Sequence, residues 1–203
     1  MYLPKQFDRP EHAGTLMREH PLASLVTTDD SGFPFITHLP LKLEEEGGAP
    51  RRLLGHCARG NPLWGYLQRR PLALASFMGP QAYMSPKVYA DLQRVPTWCY
   101  LAVQVRVQAK LLEGEAAKDA LLKQLIGDHE PPYAAQWRAL PEDYTERMLQ
   151  GIVAFELAVV DLQCAVKLNQ HRPEAHAAMH QAYSAGNHQE QALAQWMQRL
   201  GMV

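Results

Sequence analysis

The sequence predicts an antiparallel β-barrel of the α+β class, and three observations predict it. Six or seven strand-like segments lie between residues 22 and 168. Short helical segments, rather than regular crossover helices, join them, which favours an antiparallel barrel over a doubly wound parallel sheet. The alternation is clearest at 102–111, where Val103, Val105 and Val107 alternate with polar residues, as in a strand with one buried and one solvated face.

The first half of the chain predicts one helix followed by strands. Asp8-Arg9-Pro10-Glu11 is typical of a helix start, and Pro21 ends this helix near Glu19. Strands are predicted at 22–28, 33–43, 51–57 and 71–78, with a turn at 29–32, a solvated loop at 44–50 and a short helix from Asn61-Pro62 to about Gln68.

The second half predicts further strands and then a change of pattern. After the alternating strand, we expect a helix at 113–128, a helix beginning at Pro141, a strand at 152–161 and the start of another at 165–168. Beyond Arg172-Pro173, two helices are predicted at 173–184 and 189–200. We therefore expect a main domain of residues 1–172 and a C-terminal helical extension of residues 173–203.

Composition and charge exclude several function classes. The chain has 203 residues, with 20 Lys plus Arg against 21 Asp plus Glu. This balance argues against bulk electrostatic attraction to nucleic acid or to an anionic membrane. Cys57, Cys99 and Cys164 lie far apart and are expected to be buried, reduced thiols of a cytoplasmic protein. No signal peptide is expected from the first residues, and the residues given contain no membrane-spanning run, GxGxxG, GxxxxGK[ST] or GxSxG.

Three segments carry residues suited to ligand binding. In 55–64, His56 and Arg59 lie at a strand end just before a helix start, where an arginine fork and free N–H groups suit a phosphate. The alternative is a surface arginine and a histidine at the core edge. In 77–89, exposed aromatic residues and a hydroxyl can lie along a flat ring, or the segment is an irregular loop. In 95–100, Trp98 and Tyr100 are equally consistent with core or interface positions.

The C-terminal histidines form one further constellation. His176 and His180 are spaced i, i+4 on a predicted helix, with His171 and His188 nearby. This spacing can hold a transition metal, but no HExxH glutamate or nearby cysteine completes the ligand set. A solvated helix face is the preferred interpretation, and no metal is predicted.

Several blocks occur in one order along most of the chain. They are Met1-Tyr2-Leu3-Pro4, 20–27, His38-Leu39-Pro40, 55–64, 79–86, 95–98 and 167–172. Together they resemble the PaiB-like family of FMN-binding negative transcriptional regulators. This resemblance implies a six-stranded antiparallel split barrel of the FMN-binding type over residues 1–172, with short peripheral helices and a C-terminal helical tail. It also implies a homodimer that binds FMN at the interface between protomers.

The resemblance also suggests cofactor-binding residues. His56 and Arg59 are the candidates for the flavin phosphate, and Asn61 would orient the helix start. His38, Tyr83, Ser85 and Trp98 are candidates for the ring or ribityl chain, while Lys167 and Gln170, from the partner chain, would close the site. The chain departs from the family pattern at Val88, Cys99, Asn169 and His171, where Trp, Asn, Ser and Asn are common.

Three functions remain open from the sequence. The first is an FMN-binding regulator; the second is a flavin-dependent reductase-like enzyme, for which no catalytic residue is identifiable; the third is a cofactor-free dimer that acts through protein contacts. DNA is a weakly supported partner because no helix-turn-helix or basic helix is recognisable. The doublets Arg51-Arg52 and Arg69-Arg70 are expected to be solvated surface.

Overall fold

The computed structural model describes residues 1–91 and 93–203, in which seven strands and seven α-helices occur. The strands are β1 Leu22–Thr28, β2 Pro34–Pro40, β3 Lys42–Glu46, β4 Ala49–Ala58, β5 Leu72–Met84, β6 Thr97–Leu112 and β7 Ile152–Lys167. The helices are α1 Ala13–Glu19, α2 Leu63–Arg69, α3 Glu115–His129, α4 Tyr133–Ala139, α5 Glu142–Gln150, α6 His176–Ser184 and α7 His188–Arg199.

The strands form one antiparallel sheet in the order β2-β1-β5-β6-β7-β4-β3. Two predictions are corrected by this order. The sheet has seven strands instead of six, and β2 and β3 are its edges in the part of the chain described, so it is not a closed barrel. The two C-terminal helices, α6 and α7, confirm the predicted helical tail.

The additional strand arises where the predicted strand 33–43 is broken. β2 pairs with β1 up to Pro40, whereas β3 pairs with β4 from Lys42 onward. Between them, Pro40 has no N–H for a ladder bond, and the backbone N–H of Leu41 donates to the carbonyl of Pro21 at 2.9 Å. The chain therefore changes partner at Leu41, which is 1% exposed.

The predicted solvated loop at 44–50 is a β-hairpin. Glu46 ends β3, Ala49 begins β4, and only Gly47 and Gly48 lie between them. Their φ angles are 60° and 81°. A two-residue hairpin turn with positive φ at both positions favours glycine, which explains the Gly-Gly pair.

Several strands are longer than predicted, β5 and β7 among them. β5 continues through Gly79-Pro80 to Met84, and β7 runs without interruption to Lys167. A Cβ atom at Gly79 would lie 3.0 Å from Leu16 Cδ2 and 3.2 Å from Leu101 Cβ. Gly79 thus allows close packing against this strand, and the irregular loop expected there is wrong up to Met84.

The chain divides into two compact units. Unit 1 comprises Met1–His20, Phe77–Gln104 and Gln163–Val203, and unit 2 comprises Pro21–Ser76 and Val105–Leu162. β5, β6 and β7 supply residues to both. The core of unit 1 includes Leu16, Met17, Phe77, Leu101 and Met197, and that of unit 2 includes Leu25, Leu53, Phe155 and Leu157.

The cysteines behave as predicted: Cys57, Cys99 and Cys164 are free and buried. Burial, with smaller contributions from Asp8 and Glu11, raises the pKa of Cys164 to about 12. Among the helices of residues 1–91 and 93–203, none is long and apolar enough to cross a membrane.

Candidate functional site

Arg59 follows β4 and is fixed by backbone groups of unit 2. Its Nε donates to the carbonyl of Gln150 at 2.7 Å, and one Nη2 hydrogen donates to that of Ile152 at 3.4 Å. The Trp64 indole N–H donates to the Arg59 carbonyl at 2.9 Å. The bonds to Gln150 and Ile152 orient the guanidinium but leave its Nη1 group and one Nη2 hydrogen available to an anion.

Arg59 lines a cavity of about 800 Å³ in unit 2. The walls come from α2, the end of β6, the start of α3 and the start of β7. The lining residues include Arg59, Trp64, Leu67, Gln68, Lys110, Leu111, Leu112, Glu113, Lys118 and Val153. The cavity thus combines three cationic side chains and one carboxylate with an indole and an aliphatic wall.

Asn61 begins the turn into α2. Its Oδ1 accepts a hydrogen bond from the N–H of Leu63 at 2.9 Å, and its Nδ2 donates to Thr37 Oγ1 on β2 at 3.3 Å. The side chain therefore holds the first turn of α2 against β2, and Phe35 and Tyr66 make an edge-to-face ring contact between the same elements at 5.2 Å.

His38 lies on the opposite face of β2 from Thr37. Its Nδ1 shares a 3.0 Å hydrogen bond with Ser24 Oγ on β1. Because Ser24 pairs with His38 on one side and with Ser76 on the other, these three residues form a polar row across β2, β1 and β5.

His56 lies near the C-terminal end of β4, opposite Ala154 of β7. Burial lowers its pKa, so the imidazole is neutral at pH 7. Its Nδ1 is buried and has no hydrogen-bond partner among the described residues. His56 is not part of the described lining of the Arg59 cavity, and a neutral imidazole offers a phosphate an N–H donor rather than a positive charge.

In unit 1, Tyr83 and Trp98 form an exposed aromatic pair. Their ring centroids lie 6.5 Å apart at an interplanar angle of 64°, and the side chains are 50% and 48% exposed. The Trp98 indole N–H donates to Gln81 Oε1 at 3.0 Å, which fixes the indole. The structure thus brings together these two of the predicted ring contacts.

Ser85 and Gln170 bond to nearby backbone. Ser85 Oγ accepts from the N–H of Lys87 at 3.2 Å, which leaves its hydroxyl hydrogen free. Gln170 Oε1 accepts from the N–H of Leu168 at 2.9 Å, and its Nε2 donates to the carbonyl of Val166. Both polar groups of Gln170 therefore bond to backbone and stabilise the turn after β7, while one Nε2 hydrogen stays free.

Lys167 lines a cavity of about 320 Å³ in unit 1. Its Nζ donates to Thr97 Oγ1 at 2.9 Å and lies 5.8 Å from the ring centroid of Tyr100. The cavity lining is Phe7, Met84, Tyr89, Gln93, Arg94, Val95, Thr97, Cys99, Lys167, Asn169, His171 and Arg172. Three of the four departures from the family pattern, at Cys99, Asn169 and His171, are among them.

The sequence interpretation missed two cations of this cavity, Arg94 and Arg172. Arg172 ends the block 167–172, in which the sequence analysis predicts only Lys167 and Gln170 as site residues. Arg94 immediately precedes the block 95–98. The signal was therefore present, since an arginine occurs within or beside each of two blocks that carry the resemblance.

The histidine-rich tail has a structural role at His176. This residue is 8% exposed, and its Nε2 shares a hydrogen bond of 3.2 Å with the carbonyl of Asn169. Asn169 has a φ of 61°, a left-handed conformation that asparagine tolerates better than most residues.

Comparison with known proteins gives a family and a fold. The model of the family described as "Putative FMN-binding domain" matches residues 1–161. A relative from Bacillus subtilis (strain 168), "Protease synthase and sporulation protein PAI 2", is 35% identical over 179 residues, which cover 86% of this chain and 84% of that protein.

Solved structures with the same fold are more distant in sequence. The flavocytochrome Anf3 from Azotobacter vinelandii has a TM-score of 0.62 at 16% identity, with coverage of 81% of this chain and 71% of that one. The FAD and heme binding protein from Mycobacterium smegmatis has a TM-score of 0.60 at 18% identity, with coverage of 78% and 71%. At such low identity these two structures show the fold alone.

Proposed function

This chain belongs to the FMN-binding domain family, FMN is its cofactor, and we propose that the Arg59 cavity of unit 2 holds the FMN phosphate. The observation that carries this proposal is the guanidinium of Arg59, fixed at the wall of a cavity of about 800 Å³. That volume lies within the roughly 300–1,000 Å³ typical of small-molecule sites. All the residues of the cavity also lie within the matched range 1–161.

The charges of the cavity fit a phosphate. Lys118 Nζ donates to the carbonyl of Leu149 at 2.9 Å, and Lys110 Nζ lies 3.6 Å from Glu156 Oε1. Together with Arg59 they place three cations in the lining against the carboxylate of Glu113. We expect Arg59 to bind phosphate oxygens through its free N–H groups, with the lysines supplying additional positive charge.

The apolar part of the cavity fits a flat ring system. The Trp64 indole, held by its N–H bond to the Arg59 carbonyl, supplies an aromatic wall, and Leu67 and Leu112 exclude water. Bound FMN would supply hydride- and electron-transfer chemistry. His38, Tyr83, Ser85 and Trp98 remain predicted contacts of the ring or ribityl chain. Lys167 and Gln170 remain predicted to close the site from the partner chain, and Lys167 also lines the second cavity.

The test is a titration of the apo protein with FMN, followed by quenching of flavin fluorescence. We expect Arg59→Gln to weaken FMN binding about ten- to hundredfold, because hydrogen bonds to a charged group are lost. Arg59→Lys should give an intermediate loss, since the charge is kept without the fork. The matched control is Arg51→Gln, at an exposed arginine that pairs with Glu46.

Arg59 also supports the backbone, so melting temperatures of the variants are measured without FMN. A folded Arg59→Gln variant that binds FMN as tightly as the wild type would place the phosphate elsewhere. Absence of flavin quenching by the wild-type chain would contradict the function itself.

We propose that the protein is a homodimer in which the exposed apolar face formed by β2, β1 and β5 packs against the same face of a second copy. Leu22, Ile36 and Leu72 are 65%, 54% and 70% exposed. Val26 aligns with Ile36 on one side and Leu74 on the other, so the apolar side chains are contiguous around the polar row at His38. Contiguous exposed apolar residues of this kind mark interaction surfaces, and an isologous interface pairs such a patch with itself.

The regulatory role is proposed from the Bacillus relative, whose name refers to protease synthesis and sporulation. The basic doublets are poor DNA contacts. Arg69 and Arg70 both pair with Asp30, and Arg52 pairs with Glu44 and Glu156. We therefore propose that regulation depends on FMN or on protein partners, with the reductase-like enzyme as the alternative. A salt-sensitive DNA complex in a gel shift at low ionic strength would contradict this.

We also propose a cytoplasmic location, where the buried thiols remain reduced. The split-barrel description of residues 1–172 and the separate helical extension 173–203 remain predictions.

A further inference from the structure

The cavity of unit 1 is a concentration of positive charge that the FMN proposal does not use. Arg94, Lys167 and Arg172 line it, and its described lining contains no carboxylate. Arg94 Nη2 pairs with Asp91 at 2.9 Å and approaches Glu174 at 3.9 Å. These two carboxylates offset the charge of Arg94 only.

Within the part of the chain that the structure describes, the other two cations have no acidic partner. Lys167 donates to the hydroxyl of Thr97 and lies against the ring of Tyr100. Arg172 makes no ion pair within the described residues 1–91 and 93–203. Two uncompensated positive charges at one cavity attract an anion, because the surrounding protein screens them less than bulk water does.

Donor groups of the cavity are also unoccupied. Arg94 Nε is buried and has no partner in the part of the chain described. A buried charged donor without a partner is unfavourable, and such a group in a native structure is commonly satisfied by water or an ion. Asn169 Nδ2 donates to the Tyr89 hydroxyl at 2.9 Å, which leaves that hydroxyl free to donate its own hydrogen.

One part of the lining is apolar. Phe7 and Met84 are buried, and the Phe7 ring meets the His171 ring edge-to-face at 5.9 Å. Tyr89 presents a second aromatic ring, which lies under the guanidinium of Arg94 at 4.9 Å from its centroid. A ligand in this cavity can therefore place an apolar ring beside aromatic side chains.

We propose that this cavity binds a small aromatic anion, an arylcarboxylate or an aryl phosphate, as a ligand in addition to FMN. Arg172, Lys167 and the free Nε of Arg94 bind the anionic group, and Phe7, Met84 and Tyr89 contact the ring. The volume of about 320 Å³ lies at the low end of the range of roughly 300–1,000 Å³ for small-molecule sites and selects a compact ligand.

The test is calorimetric titration of the FMN-saturated protein with phenyl phosphate, benzoate and inorganic phosphate. We expect one phenyl phosphate per chain, and weaker binding of inorganic phosphate because it lacks the ring. The stronger of the two aromatic probes identifies the anionic group. Equal binding of phenyl phosphate and inorganic phosphate would contradict the apolar subsite, and no binding of any probe would overturn the proposal.

Variants assign the binding to this cavity. Arg172→Gln should weaken phenyl phosphate binding roughly tenfold and leave FMN affinity unchanged. Val95→Glu provides a second variant, because Val95 lines the cavity but is 78% exposed and its replacement adds a repelling charge. Lys87→Gln, at an exposed lysine of the same unit outside the lining, is the charge-matched control.

Competition between FMN and phenyl phosphate shows whether the anion site and the flavin site are separate. If FMN displaces phenyl phosphate and Arg172→Gln weakens FMN binding, the cavity belongs to the flavin site and the inference is wrong. If the chain does not bind FMN at all, the same titration is run on the protein as purified, and it tests the anion site independently.

Discussion

At the residue scale, the burial of His56 makes the free energy of unfolding depend on pH. Burial lowers its pKa below the ordinary value of a histidine, so the folded protein binds fewer protons there than the unfolded chain. The free energy of unfolding should therefore rise with pH up to about 6.5 and fall as the solution is made more acidic. His20, whose pKa burial also lowers against the opposing effect of Glu19, acts in the same direction.

We expect His56→Gln to reduce the slope of unfolding free energy against pH between about pH 7 and pH 5. Urea denaturation at several pH values measures this slope. His188→Gln, at an exposed histidine, is the matched control. An unaltered slope in His56→Gln would mean that other groups cause the acid sensitivity.

Individual site residues were only partly predictable. Arg59 and Lys167 each line a cavity, as their charge and block position suggested. Gln170 shows the difficulty, because an amide is equally suited to a ligand and to backbone, and here the backbone occupies both of its groups. Arg94 was missed because it lies outside the blocks that carry the resemblance, and only the folded chain brings it to one cavity with Phe7 and Lys167.

At the element scale, local pattern predicted strand type better than strand partners. Phe35, Thr37, Leu39 and Leu41 alternate with exposed positions in one unbroken series, so periodicity alone does not separate β2 from β3, and Pro40 is the one local sign of a break. The division arises because Leu41 bonds to Pro21 and the chain then pairs with β4. Which strand a segment pairs with is a tertiary effect, and the hydrophobic periodicity of the sequence does not specify it.

The turn between β3 and β4 has a local sequence that predicts two different structures equally well. Gly47-Gly48 among glutamates is typical of a solvated loop, and it is equally typical of a two-residue hairpin turn. Composition favoured the loop, but the apolar Leu43 and Leu53 pair across the hairpin and anchor it. Cross-strand pairs of this kind decide the register, and they are visible only once both strands are placed.

At the scale of the whole molecule, the family was predictable and the cavities were not. Ordered blocks spread over 172 residues identify the family because each is independent of the others. The unit 1 cavity, however, is lined by residues from Phe7 to Arg172. The charge of this cavity depends on which carboxylates the fold places near it. The near-zero net charge of the whole chain therefore did not predict a locally cationic site.

The proposed dimer depends on β2, an edge strand with a different neighbour on each face. On one face, α2 packs through the Phe35–Tyr66 and Thr37–Asn61 contacts, and α2 also lines the Arg59 cavity. On the other face, Ile36 is exposed. Pairing of this face with a second copy should therefore stabilise β2 and, through α2, the FMN site.

We expect Ile36→Glu to convert the dimer into a monomer, because it would place two carboxylates in an apolar interface without a partner. Size-exclusion chromatography with light scattering measures the mass, and the flavin titration is repeated on the same sample. Met148→Glu, at a partly exposed methionine of α5, is the control and should keep the wild-type mass. A monomeric variant with unchanged FMN affinity would separate the flavin site from the interface, whereas a wild-type chain that is already monomeric would remove the dimer altogether.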